Sequence, residues 1–176
     1  MDLTKTVSLI SAAYTVNSLS SYLAVRNAES EPGMDTQRQS QEQLFQSPNI
    51  SELQAHFSAL PHRTSYCDIH VYFDDSSVDK MMIANKALRQ QGLRVFDVVD
   101  RPIFCHPTPM FEAHVEHAEA AATMAFLHEL GTGLSMLIHP NTSDGVKTDH
   151  TTHARWVGPS LQNQVSAFFA ASSRWQ

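Results

Sequence analysis

From Tyr66 onward the chain carries strand-type and helix-type apolar patterns in the order strand, helix, strand, strand, helix, strand, and few folds accommodate that order. Tyr66 to Phe73 is rich in β-branched and aromatic residues, and Asp74-Asp75-Ser76-Ser77 supplies the turn and N-cap chemistry that follows a strand. Val78, Met81, Met82 and Leu88 then recur at helical spacing. Lys80, Lys86 and Arg89 take the wet face, and Gly92 stands where a C-terminal cap belongs. Leu93 to Val99 reads as a second strand, Met110 to Val115 as a third, and a Pro-rich loop carrying His106 lies between them. Glu119 to Leu130 reads as a second helix stopped by Gly131 and Gly133, and Leu134 to His139 as a fourth strand closed by Pro140.

A βαββαβ order is the split-βαβ arrangement of an α+β, ferredoxin-like fold. Its antiparallel sheet has strand order 4-1-3-2 and both helices on one face. Alternation along the strands then sends Ile69, Val71 and Phe73, Phe111, Ala113 and Val115, and Met136 and Ile138 toward the helices. Asp68, His70 and Tyr72, Met110, Glu112 and His114, and Leu137 and His139 face the other way. An open face carrying imidazoles beside Tyr72 and Leu137 suits a pocket. Ferredoxin-like sheets often cover that face with a second copy, so a homodimer with a barrel-like α+β centre is expected.

Composition narrows the partners. The chain has 176 residues, 42% of them hydrophobic, which is enough for one core with a tail. A formal charge of -6 and the lack of any Lys/Arg run exclude the footprint of a nucleic-acid binder and leave a small molecule as the expected ligand. Cys67 and Cys105 form no CxxC pair, which argues for a reducing compartment and buried thiols. No apolar stretch is long enough for a membrane span, and Lys5 alone gives a poor signal-peptide start, so the expected location is cytoplasmic. Residues 1–64 read as an N-terminal extension, with an amphipathic patch at Val7 to Leu19, a Gln/Ser-rich linker from Asn27 to Pro48, and a short helix from Ser51 to Leu60. Residues 65–160 form the domain, and 161–176 a tail or helix.

Histidines fall at the strand ends: His70 after Asp68-Ile69, His106 after Cys105, His139 after Leu137-Ile138, and His150 after Asp149. Neutral imidazole is a common ligand for iron, copper and zinc, and ligands gathered from separate strands and loops can surround one ion with positions left for substrate. Strand parity brings His70 and His139 together with Glu112 or His114. The adjacent Met81 and Met82 read as core filler.

The residues also resemble a family. Asp68 to Phe73, Arg101-Pro102-Ile103 with His106-Pro107, Met110-Phe111-Glu112, Leu134 to Thr142, and Asp149-His150-Thr151 with Trp156-Val157-Gly158 together resemble the DOPA 4,5-dioxygenase family of fungi and bacteria. That resemblance implies a ferredoxin-like fold and a non-haem Fe(II) site that opens a catechol such as DOPA with dioxygen, on the route to betalain-type pigments. It matches His70, His106, His139 and His150 to the family's histidines and leaves out His56, His62, His117, His128 and His153. On it, His70, His106 and His139 are the expected metal ligands and His150 the expected acid-base residue. Glu112, which strand parity offers as a ligand in place of His106, would orient a ligand or substrate group, and His114 falls behind it. Arg101 and Arg155 are candidates for a substrate carboxylate, and Trp156 for a pocket wall or the core. Phe104-Cys105 stands where the family has Gly-Pro, and Val99 where many bacterial members have a further histidine. A zinc hydrolase or isomerase on the same histidines, or a dimeric binding module without catalysis, are the competing readings.

Overall fold

The computed structural model describes residues Asn49–Ala171. The expected linker and the patch at Val7 to Leu19 lie outside the described residues. Five antiparallel strands form one sheet: β1 (His62–Tyr72), β2 (Arg94–Val95), β3 (Met110–Glu116), β4 (Met136–Thr142) and β5 (Arg155–Val157), in the order β2-β3-β1-β4-β5. The first four strands keep the ferredoxin-like order, and β5 extends it beyond β4. Among the described residues five α-helices accompany the sheet: α1 (Ile50–Ser58), α2 (Val78–Gln90), α3 (His117–Leu130), α4 (Val146–His150) and α5 (Gln162–Ala171). No helix among the described residues is long and apolar enough to cross a membrane.

Strand parity holds throughout. Ile69, Val71, Phe111, Ala113, Val115, Met136 and Ile138 join Met81, Ala84 and Leu88 of α2 and Ala120, Met124 and Leu127 of α3 in the main core. Burying these side chains contributes roughly 1.5–3 kcal/mol for each large one. Ala84 and Leu88, not Met82, set the rotation of α2, so Met82 is 59% exposed and only Met81 of the pair fills the core. The helix ends as expected at Gly92, whose φ is 81°. Gly92 N–H donates to Arg89 O and Leu93 N–H to Leu88 O, a Schellman pair.

Several boundaries differ from the sequence reading, the first strand beginning at His62 and not at Tyr66. The second strand shrinks to Arg94–Val95, and pairing resumes only as a bridge between Val99 and Met110. The fourth strand runs through Pro140 to Thr142. Tyr72 N–H donates to Ser135 O, so alternation turns the Pro140 nitrogen away from β1, on the side where pairing with β5 has ended at Ile138. Finally, the helix grouped with the extension is part of the domain. Leu53 and Phe57 of α1 lie in the main core, and Arg155 donates to His56 Nδ1 while His56 Nε2 donates to His153 O.

Part of the other sheet face is covered by the chain itself. Tyr72, Met110 and Leu137 pack with Val99, Ala154, Trp156 and Leu161, and the expected tail is helix α5, whose Val165 and Phe169 bury Cys105. A side chain at Gly158, φ 74°, would strike the Leu134 carbonyl, so glycine there lets the end of β5 close onto β4.

Candidate metal centre

His70 and His139 stand on adjacent strands, β1 and β4, with their Nε2 atoms 3.0 Å apart. His106 reaches them from the tight turn Ile103–His106, its ring centroid 4.2 Å from that of His70. His150 comes from α4, its centroid 4.0 Å from that of His139 and 5.3 Å from that of His106. The four imidazoles expected from sequence therefore form one cluster, and each is at most 6% exposed.

Their hydrogen bonds decide where the lone pairs lie. A carbonyl can only accept, so His139 Nδ1–H donates to Pro140 O at 3.0 Å and His150 Nδ1–H to Val146 O at 2.9 Å. In the neutral ring this leaves Nε2 of each as the nitrogen with the lone pair, and that of His139 accepts from His70 Nε2–H at 3.0 Å. His106 Nδ1 pairs with the Tyr72 hydroxyl at 2.8 Å, and with Nδ1–H as the donor its Nε2 keeps the lone pair. Burial holds all four rings neutral. It pushes His70 well below the usual histidine range and His106 and His139 to about 4, and, with help from His139, it pushes His150 to about 3. Neutral, desolvated imidazoles with oriented Nε2 lone pairs are what Fe(II), zinc or copper requires, so the residues present fit such an ion.

Two groupings have ligand atoms within 4.8 Å of one another here: His70, His106 and His150, and Asp68, His70 and His139. The carboxylate beside His70 and His139 is thus Asp68. Glu112 instead belongs to a neighbouring group with Asp68 and His114, and its Oε1 accepts from His114 Nε2 at 3.0 Å. Burial pushes both carboxyls up, that of Asp68 against a 3.0 Å bond from Asn141 and that of Glu112 with help from Asp68. Neither thiol belongs to these groupings, and burial pushes Cys67 and Cys105 up to about 12.

Sequence reasoning missed the clamp on His150. Asp149 is buried and accepts from the Thr142 N–H at 3.0 Å and from the Thr142 hydroxyl, which ties α4 to the end of β4 and sets His150 opposite His139. Its adjacency to His150 was the available signal. The two arginines are placed elsewhere. Arg155 donates to the carbonyls of Thr152 and Ala154 as well as to His56, and the exposed Arg101 pairs with its neighbour Asp100 at 3.4 Å. Trp156 serves as a wall: it stacks on Tyr72 at 5.7 Å and donates to Gln162 at 2.9 Å. A groove of about 720 Å³ beside α2, lined by Met81, Met82, Phe96 and Val98 among others, contains none of the four histidines. The lone pairs, and not that groove, mark the chemistry.

The four neutral rings make stability fall with acidity in the metal-free protein. Unfolded histidine titrates near 6.5 while these rings stay neutral to about 4 or below, so the unfolded chain binds more protons in that window. Stability should be full above the unfolded value and drop by up to about 1.4 kcal/mol per pH unit for each ring as pH falls below it. Urea midpoints measured between neutral and mildly acidic pH check this, and a flat profile would show that the rings are solvated or charged in the fold.

No curated protein matches the chain. In shape it is similar to the crystal structure of a protein from Nostoc punctiforme described as a candidate dioxygenase, with a TM-score of 0.51 and 26% identity over 61% of this chain and 94% of that one. The family model for the Dopa 4,5-dioxygenase family matches residues 67–167, a span that contains all four clustered histidines. With more than half of its length matched, from the first site strand to the helix behind the centre, the chain belongs to the Dopa 4,5-dioxygenase family.

Proposed function

We propose that this protein is a non-haem Fe(II) dioxygenase that opens the ring of a catechol such as DOPA, giving a semialdehyde of the kind from which betalain-type pigments form. The observation that carries the reading is the convergence of four buried, neutral imidazoles, at least two with their tautomer fixed by a main-chain carbonyl. Family membership and the dioxygenase-like shape support it.

In this reading His70, His106 and His139 hold the ion. When bound, Fe(II) lowers the pKa of the catechol hydroxyls and lets the ring and dioxygen react together. The protein's own part is positioning and proton traffic. His150 Nε2 takes a proton from a catechol hydroxyl and later returns it to an oxygen of the opening product, while its Nδ1–H stays on Val146 O. The Tyr72–Trp156 stack and α5 keep water out. The balance is that of a dioxygenase: a ring carbon–carbon bond beside a hydroxyl breaks, the carbons are oxidised to an acid and an aldehyde, and both oxygen atoms are retained.

A second ligand set has its own observation. Asp68 Oδ1 is buried without a hydrogen-bond partner, its nearest cation candidate being His114 Nε2 at 3.3 Å. With His70 and His139 it makes a two-histidine, one-carboxylate set of the kind that holds Fe(II). Asp68→Asn separates the two: iron content measured after reconstitution should stay near one per chain if His106 is the third ligand, and fall if Asp68 is. For the function itself, protein loaded with Fe(II) should consume oxygen with a catechol while the zinc-loaded form does not. Hydrolysis or isomerisation by the zinc form, without oxygen uptake by the iron form, would replace this proposal.

A further inference from the structure

Phe104 is the only non-glycine residue with positive φ among the described residues, at 53°. It is the first central residue of the two-residue turn between Ile103 and His106, closed by Ile103 N–H to His106 O at 3.2 Å and His106 N–H to Ile103 O at 3.0 Å. Turns of this kind favour glycine at that place, because a Cβ is crowded there. A large ring held in such a conformation needs surroundings that over-determine it, and an outlier beside a functional site points to a role.

The surroundings are aromatic. The Phe104 ring makes edge contacts with Phe168 at 5.0 Å and Phe169 at 5.7 Å, both on α5, and with His150 at 6.2 Å. Phe169 is itself 6.2 Å from His150. Around the cluster stand the sheet that carries His70 and His139, the Tyr72–Trp156 stack, and α4, which Asp149 fastens to Thr142. His106 and His150 are the two least buried of the four, at 6% and 5%, and Phe104, 42% exposed, sets its ring edge-on to His150.

We propose that Phe104 is a specificity-determining residue: its ring is the outer wall of the histidine centre over His150 and limits the size of the substituent that a catechol can carry into it. This rests on the catechol reading above. A planar substrate approaching His106 and His150 meets this ring first. The contacts with Phe168 and Phe169 keep the wall in place, while the short turn that bears it also carries His106, so wall and cluster keep a fixed spacing.

Two variants test the role. Phe104→Gly removes the ring and suits the local φ, and Phe104→Trp enlarges it. Zinc-loaded protein, which cannot turn over, is titrated with nitrocatechol and with tert-butylcatechol by their ultraviolet shifts, and the iron-loaded form gives kcat/KM for the same pair. Both variants should bind as much metal as the parent. The preference for tert-butylcatechol over nitrocatechol should rise by roughly tenfold or more in Phe104→Gly, and fall in Phe104→Trp. In the metal-free protein, carbethoxylation of His150 followed by mass spectrometry should be faster in Phe104→Gly and slower in Phe104→Trp. Should the glycine variant fail to fold, the tryptophan variant still reads the role, with the opposite sign. A parent that binds and opens catechols while neither variant shifts the preference overturns the Phe104 role alone. A parent that neither binds these catechols nor opens them overturns the catechol reading first.

Discussion

His70→Ala and His139→Ala should each lose bound iron and with it ring opening, by more than about a hundredfold, since losing even an outer partner of a metal ligand costs ten- to a hundredfold. The fold should survive both. The two rings lie on the sheet face opposite the main core, where Ile69, Val71 and Ile138 point to the helices, so removing them takes nothing from the packing of α2 and α3. Metal analysis together with circular dichroism separates a lost ligand from a lost fold. His70 carries the greater weight, because it belongs to both groups of mutually close ligand atoms. If both variants keep full iron and full activity, the centre is not where the lone pairs converge.

The second large effect concerns protons. His150→Phe should keep iron and still bind a catechol, yet open it slower by roughly a hundred- to ten-thousand-fold, the usual cost of losing a positioned proton carrier. His106→Ala should lose metal first. The geometry makes this comparison sharp, because His70, His106 and His150 have nitrogens within 4.8 Å of one another and His150 Nδ1–H is fixed on a carbonyl, an arrangement that also suits a ligand. Loss of iron from the His150 variant and its retention in the His106 variant would exchange the two roles.

Much of this was legible in the sequence for one physical reason. Side chains alternate along a strand, so the faces of β1, β3 and β4 follow from parity once the strands are found, and His70 and His139 fall together with them, while His106 on its turn and His150 on α4 lie outside that argument. What parity cannot give is where a strand stops. Pro140 reads as a terminator, yet it is tolerated because its nitrogen faces a side with no further pairing, and that depends on where β5 ends. Nor does helical spacing fix rotation: Met82 fits the apolar stripe but is exposed, because Ala84 and Leu88 are the side chains that meet the sheet.

The site shows the same division. His70, His106, His139 and His150 carry their chemistry in their residue type, so they could be named in advance. The role of Asp149 was not legible beyond its adjacency to His150, since its work lies in two bonds to Thr142. Glu112 sits opposite His70 in the β1–β3 register, as parity requires, but its carboxylate turns to His114, while Asp68 turns toward His70 and His139. Side-chain direction within one sheet face is a tertiary matter. The packing of Ala154, Trp156 and Leu161 onto that face falls in the same class.

The central claim is that these imidazoles hold an iron that joins dioxygen to a catechol. It is tested most directly by reconstituting the metal-free protein with Fe(II) under anaerobic conditions, adding DOPA, and admitting heavy-isotope dioxygen. A yellow semialdehyde carrying both labelled oxygen atoms, formed with one dioxygen consumed per ring and absent in His70→Ala, is the predicted result. Reconstituted protein that holds iron but leaves DOPA and simpler catechols unopened, or gives a product with no label, would contradict it.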